Sequence, residues 1–254
     1  RPALRIEIAA IGRNLLNARL AKTQEQLASG KLRLDEPAPH VARLTIDNPA
    51  KRNALDHEIL DAFATTLPEL DARCLLVTAA GEIFSAGYDI GNLEGQSFEE
   101  SAERLVAHPF HDALEALDAY RYPVVAEING HAIGGGLELA LTCDIRVAAR
   151  IARFSMPPAR LGLIYSHTGL RKFIDVCGPA NTAELFHVGE PVDAERARGM
   201  GLVNEAVEPD DLEERGFRVL TPTYPGFEGE VEAHGPGTRE DEKSGRFGHL
   251  TRKR

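Results

Sequence analysis

The densest set of residues able to do chemistry is Asn129-Gly130-His131-Ala132-Ile133-Gly134-Gly135-Gly136-Leu137-Glu138-Leu139-Ala140. A buried strand, Val124–Ile128, runs into this glycine-rich turn, and an apolar helix follows it. Three successive glycines open backbone conformations closed to other residues and let a ligand come close. The N–H groups of a helix's first turn lack intrahelical partners, and the helix dipole favours negative charge there, so the turn can hold an anion. Gly130 and Gly135 have the spacing of a Walker loop, but Gly136 stands where its lysine belongs; nor is the run a dinucleotide G-x-G-x-x-G. Taken alone, a glycine run before a helix serves close packing as readily as anion binding. Glu138 lies about one helical turn beyond Gly135. A carboxylate beside an oxyanion site can move protons on a carbon next to a carbonyl; alternatively, a first-turn Glu only complements the dipole.

The second run is Phe84-Ser85-Ala86-Gly87-Tyr88-Asp89-Ile90, which follows a short apolar strand at Cys74–Thr78. Its small residues flank a point where backbone N–H groups can turn outward; by itself it is an ordinary strand-to-helix loop. Both loops follow buried strands, so in a parallel sheet they emerge at the same carboxyl edge, where open α/β folds bind ligands. Two backbone N–H groups converging there on one oxygen make an oxyanion hole.

The elements that must position these loops are read from pattern. Val41–Asp47 and Ile145–Ala148 have strand character, and Asp56–Leu67 is helical with Asp56 as N-cap. Phe98–Ala119 is mostly helical, interrupted at Pro109, and later helices are expected at Asp193–Met200 and Pro209–Val219. Short buried strands alternating with helices predict an α/β fold with parallel pairing. Residues 1–38 form an N-terminal extension, partly helical, with Ile11, Leu15, Leu16 and Leu20 at helical spacing. Residues 39–220 are the folded body. Residues 221–254, with recurring Gly and Pro and the charged run Arg239–Lys243, read as an irregular or disordered tail.

Charge and composition exclude several classes. The 254 residues carry 29 Lys and Arg against 39 Asp and Glu, a net charge of −10, which disfavours binding to nucleic acid through phosphate neutralisation. No apolar run approaches the roughly 20 residues that span a bilayer. Cys74, Cys143 and Cys177 sit scattered in apolar surroundings, as buried reduced thiols do. With no signal-peptide apolar core, a cytoplasmic location is expected, although the Arg-bearing start could also be an organelle transit peptide poor in Ser. His108 and His111 could share a helix face, but without an acidic or Cys companion no metal site is expected.

Asn53-Ala54-Leu55, the Ser85–Ile90 loop, Asn129–Ala140 and Cys143-Asp144-Ile145-Arg146, in this order and at these separations, resemble the crotonase (enoyl-CoA hydratase/isomerase) superfamily. The likeness continues through Ala152–Gly162 and Ala194–Val207 and covers roughly residues 40–215. It implies a spiral β/α core of parallel strands, assembly as homotrimers or hexamers, and an acyl-CoA thioester as substrate, with no cofactor beyond the substrate's own CoA. By this resemblance the N–H groups of Tyr88 and Gly135 would hold the thioester oxygen as an enolate. Ala86, Tyr88, Asp89 and Ile90, with Gly134 and Gly135, would line the CoA path. Lys51 and Arg52 lie near where the family meets CoA phosphates; a solvated surface pair is the alternative.

The match departs at one point that matters. In the family's hydratases a second carboxylate lies in Phe-x-x-Pro-Glu-x-x-Leu-Gly; here that stretch is Phe154-Ser155-Met156-Pro157-Pro158-Ala159-Arg160-Leu161-Gly162. Pro158 takes the Glu position and has no titratable proton, which leaves Glu138 as the one family-type carboxylate of a hydratase/isomerase-type enzyme. The run Pro158-Ala159-x-Leu161-Gly162-x-x-Tyr165 is similar to the methylmalonyl-CoA decarboxylase branch, in which loss of carbon dioxide generates the enolate without a base. In that alternative Tyr165 orients the departing carboxylate. Otherwise it is an aromatic at a helix start with a locally bonded hydroxyl. A third reading, an impaired or non-catalytic acyl-CoA binding protein, follows from residues 221–254, which lack the helical pattern of the family's C-terminal element. The acyl chain is not legible, because the residues in 92–112 align with nothing diagnostic.

Overall fold

Cys74–Ala79, Val124–Ile128 and Ile145–Ala149 are short apolar runs with almost every residue inside. Only an interior strand covered on both faces buries alternate side chains in this way. In the computed structural model, which describes residues 5–10, 24–89, 109–220 and 231–232, these runs are the centre of a seven-stranded sheet. Strands are numbered along the chain. β1 is Arg5–Ala10, β2 Glu25–Leu27, β3 Leu32–Ala38, β4 Val41–Ile46, β5 Cys74–Ala79, β6 Ile83–Ser85 and β7 Val124–Ile128. β8 is His131–Ile133, β9 Ile145–Ala149, β10 Arg153–Ser155, β11 Val192–Asp193, β12 Glu205–Val207, β13 Arg215–Leu220 and β14 Val231–Glu232.

The large sheet has the order β12-β9-β7-β5-β4-β3-β2. Its pairs from β4 to β12 are parallel, and β2–β3 and β3–β4 are antiparallel. A second sheet, β11-β10-β8-β6, is parallel from β6 to β10. The chain climbs in a repeating turn: a strand in the large sheet (β5, β7, β9), then a three-residue strand in the small one (β6, β8, β10). This staircase is the spiral parallel core that the sequence implied, and it stacks the loops after β6 and β8 side by side.

The helices are α1 (His57–Thr66), α2 (His111–Asp118), α3 (Gly135–Thr142), α4 (His167–Ala183), α5 (Ala194–Met200) and α6 (Pro209–Glu214). Asp56 caps α1 as expected, accepting from Ile59 N at 3.0 Å. All eight residues of α3 are buried, so this helix is the axis of the core rather than a surface element, which explains its apolar residues on every face.

Three expectations change. Residues 25–38, grouped by sequence with an N-terminal extension, supply β2 and β3 of the large sheet. The helix expected to Val219 ends at Glu214, and Arg215–Leu220 is a strand antiparallel to β1; Gly216, Phe217 and Val219 suit extended backbone better than helix. The run His131–Ile133, read as part of a turn, is a strand. The helical spacing of Ile11 to Leu20 and residue His108 lie outside the described residues, as does most of 221–254.

Candidate active site

The loop after β6 is held by Asn53. This residue is buried with its backbone in the left-handed region (φ 55°), and its side chain accepts from Asn48 N at 2.8 Å and donates to Ala80 O and Ile83 O at 2.8 and 2.6 Å. Its carbonyl takes the hydroxyl of Ser85 at 2.8 Å, and that hydroxyl in turn receives Gly87 N at 3.1 Å. Leu55 then pairs along the loop: its N–H donates to Gly87 O (2.7 Å) and its carbonyl accepts from Asp89 N (3.0 Å). Extended backbone alternates the direction of successive N–H groups, so the N–H of Tyr88, between these two bonds, points away from Leu55. Gly87 sits at φ +93°, a conformation that glycine reaches without steric cost.

The second loop enters α3 through Gly134, at φ 55° and ψ −123°, whose N–H is tied to Ser155 O at 2.9 Å. Gly135 begins the helix, so its N–H has no intrahelical acceptor. The two loops touch: a Cβ on Gly87 would lie 2.8 Å from Ile133 O and 3.2 Å from Gly135 N. Among the described residues, the N–H groups of Tyr88 and Gly135 have no backbone acceptor. Helix α3 approaches β6 closely enough that a Cβ on Gly136 would stand 2.5 Å from the Cβ of Ser85.

Glu138 is 4% exposed, one turn into α3. The hydroxyl of Tyr165 donates to Glu138 Oε2, joining residues from separate elements. Burial pushes the Glu138 carboxyl above the usual range, while the Tyr165 hydrogen bond and the charge of Lys172 pull it back. Burial likewise raises the phenols of Tyr165 and Tyr88, which keeps them protonated. Lys172, on α4, donates to Thr142 Oγ1 at 2.7 Å, and Thr142 Oγ1 donates to Glu138 O at 2.9 Å. Burial lowers the Lys172 ammonium. The arrangement is a buried carboxylate held ready to take a proton, beside two backbone donors without a backbone acceptor among the described residues, which can stabilise an oxyanion.

The structure thus brings Tyr88, Gly135, Glu138 and Tyr165 together. The hydroxyl of Tyr165 is bonded neither locally nor toward solvent but to Glu138. Pro158 is buried in a short turn, Pro158–Leu161. The expected CoA contacts are dispersed: Lys51 Nζ pairs with Asp89 Oδ2 at 2.5 Å, so two of them bind each other. The Arg52 carbonyl accepts Ala86 N at 3.0 Å, and the Arg52 side chain is exposed. Ile90 lies outside the described residues. Sequence reasoning missed Gly169 and Lys172, which carry no local motif, and gave Asn53 no role. The Cys143–Arg146 run is structural. The Arg146 guanidinium, 7% exposed, donates to Leu202 O and Cys143 O at 2.7 Å each, and Asp144 accepts from Val124 N at 2.9 Å.

Comparison with known proteins agrees with this architecture. Residues 36–222 match the enoyl-CoA hydratase/isomerase family profile. The chain is 32% identical over 185 residues to a probable enoyl-CoA hydratase of Mycobacterium leprae, covering 71% of this chain and 70% of the relative. It is 32% identical over 182 residues to a crotonyl-CoA hydratase of Syntrophomonas wolfei, covering 70% and 69%. The crystal structure of an enoyl-CoA hydratase from Bacillus anthracis superposes with a TM-score of 0.68 at 30% identity, over 72% of both chains. The staircase of paired sheets, the two touching loops and these matches together make the chain a member of the enoyl-CoA hydratase/isomerase family.

Proposed function

We propose that this protein acts on an acyl-CoA thioester, moving a proton at the carbon next to the thioester carbonyl, with Glu138 as base and acid. The observation that carries the reading is the position of Glu138: buried, one turn beyond Gly135, whose N–H opens the helix, and held by a hydroxyl. Taking the α-proton breaks the C–H bond and sends its electron pair into the carbonyl, whose oxygen the Tyr88 and Gly135 N–H groups receive. Backbone donors of this kind are worth about 10²–10³ in rate each. Ala86 and Gly134 shape the mouth of this hole, and the Lys51–Asp89 pair stands where CoA enters. The substrate's CoA is the only cofactor required, and the trimeric assembly implied by the resemblance is checked by sizing in solution.

The test is exchange of the α-hydrogens of butyryl-CoA in deuterium oxide, followed by mass. The protein is expected to catalyse it, and Glu138→Gln to lose about 10²–10⁴ of the rate. Absence of exchange, with release of carbon dioxide from methylmalonyl-CoA, would instead select the decarboxylase reading; thioester binding with neither reaction would select a binding protein. Fast hydration of crotonyl-CoA would overturn the argument from Pro158 while leaving Glu138 in place.

A further inference from the structure

We infer that the side chain of Tyr88 sets the length of acyl group this site accepts: its ring is a wall of the acyl pocket, so the protein takes short acyl thioesters and turns long ones away. The inference rests on the reading of Glu138 as base toward a thioester held by the N–H groups of Tyr88 and Gly135. The ring leaves its own loop and lies over the first residue of α3. A Cβ on Gly135 would stand 2.9 Å from Cζ of Tyr88 and 3.0 and 3.1 Å from its Cε2 and Cε1. It is thus the hydroxyl end of the ring that covers the bare Cα of Gly135. Phe110, buried just ahead of α2, meets the same ring edge-on, with centroids 4.5 Å apart. The ring is clamped between a glycine that leaves room for it and an aromatic of the core.

Helix geometry fixes what the ring stands beside. Residues three apart are neighbours on a helix surface. The Cβ direction of Gly135, which the ring occupies, and the Glu138 side chain therefore lie on one face of α3, a turn apart. A thioester whose oxygen is received by Gly135 N must bring its α-carbon to Glu138 across that face. The Tyr88 ring flanks this path, and the carbons beyond the α-carbon have to pass it. The other side of the carboxylate is closed. Tyr165 donates to Oε2, and a Cβ on Gly169 would lie 2.9 Å from Oε1. Behind them Tyr165, Phe186 and Phe173 pack edge-on in series, at 5.2 and 5.0 Å, with Phe186 and Phe173 buried. A smaller residue at position 88 keeps the backbone N–H and removes the wall. In a pocket, each methylene accepted or refused is worth about 10–200-fold.

The test compares butyryl-CoA with octanoyl-CoA in two measurements: binding by calorimetry, which needs no turnover, and kcat/KM for α-hydrogen exchange. The wild-type protein is expected to favour butyryl-CoA at least about tenfold in binding and about hundredfold in kcat/KM. Tyr88→Ala should raise the octanoyl-to-butyryl ratio at least about tenfold in both. Tyr88→Leu, a milder change that covers the case in which the alanine variant does not fold, should move the ratio in the same direction, with circular dichroism confirming the fold of each variant. Tyr88→Phe keeps the ring and should keep the wild-type ratio, which separates the wall from the hydroxyl. Equal handling of the two thioesters by the wild-type protein, or a ratio that stays put in the folded alanine and leucine variants, overturns the wall and leaves Glu138 as base. Binding ratios that move as expected without any exchange overturn the base and leave the wall standing. Failure to bind either thioester overturns both.

Discussion

Glu138 would be an ordinary first-turn carboxylate on an exposed helix, where it would only complement the dipole. Burial changes its chemistry: the charged form loses water, its proton affinity rises, and Tyr165 and Lys172 restore part of the loss. The balance depends on a residue that has no chemistry of its own. Gly169 lets the first turn of α4 come down onto α3, and any side chain there meets both the Tyr165 ring and Glu138 Oε1. Gly→Ala inside a helix ordinarily stabilises by up to about 1 kcal/mol. At Gly169 overpacking should outweigh this, and Gly169→Ala should destabilise by about 1–2 kcal/mol. Urea denaturation gives the stability change, and α-hydrogen exchange should fall at least tenfold. A more stable and fully active variant would refute the assigned contact. Gly135→Ala should displace the Tyr88 ring first, because that ring is what its Cβ would strike.

At the scale of elements, the site is a product of two loops pinned from behind. Asn53 spans Ala80, Ile83 and Asn48 and positions Ser85, which sets Gly87. Asn53→Ala strips three hydrogen bonds and leaves buried partners unsatisfied, a loss of about 2–4 kcal/mol. Circular dichroism melting should show it, with α-hydrogen exchange falling further than stability alone accounts for. Ser85→Ala releases Gly87 N and leaves Asn53 O without its donor, so melting temperature and rate should both fall, the rate by more than the stability loss accounts for. Such ties show why the Asn53-Ala54-Leu55 run and the Ser85–Asp89 run occur together: one is the mount for the other. The short strands β6, β8 and β10 perform the equivalent service from the small sheet, and Gly134 N bonding to Ser155 O clips α3's entry to β10.

Over the whole molecule, the pH response is set by buried carboxylates as much as by surface charge. Glu127 on β7 is pushed up to about 7 by burial, against the opposing charge of Arg43. In the unfolded chain the same group titrates near 4.5. The folded state therefore keeps a proton that the unfolded state has released, and stability falls as pH rises from about 4.5 to about 7. Glu127→Gln should abolish that decline, stabilising the protein by up to about 3 kcal/mol at pH 8 and leaving it unchanged at pH 4. Glu138, also raised, contributes with the same sign, so activity and stability should diverge as pH rises, the base gaining competence while the fold loses margin. The three cysteines are free and buried, and burial pushes the Cys74 and Cys143 thiols to about 12, so they carry no reactivity. Among the described residues no helix is long and apolar enough to cross a membrane.

The sequence by itself determined what local patterns can encode. The runs at Val41, Cys74, Val124 and Ile145 are apolar enough to declare buried strands, Asp56 declares a helix start, and the glycines of two loops declare where a backbone must bend. The absence of a carboxyl at Pro158 was equally plain. It could not encode β6, β8 and β10, because three residues are too few to show a period, nor the change from helix to strand at Arg215, where tertiary pairing with β1 decides. Only the tertiary structure decided that Tyr165, just before α4, and Gly169, in its first turn, close on Glu138 although far from it along the chain, and that Tyr88 contributes a ring as well as an amide. The physical reason is the same in each case: a hydrogen bond or a ring contact depends on separation in space, and the crossing of α4 over α3 that sets this separation follows from how two apolar surfaces fit, not from any spacing along the chain.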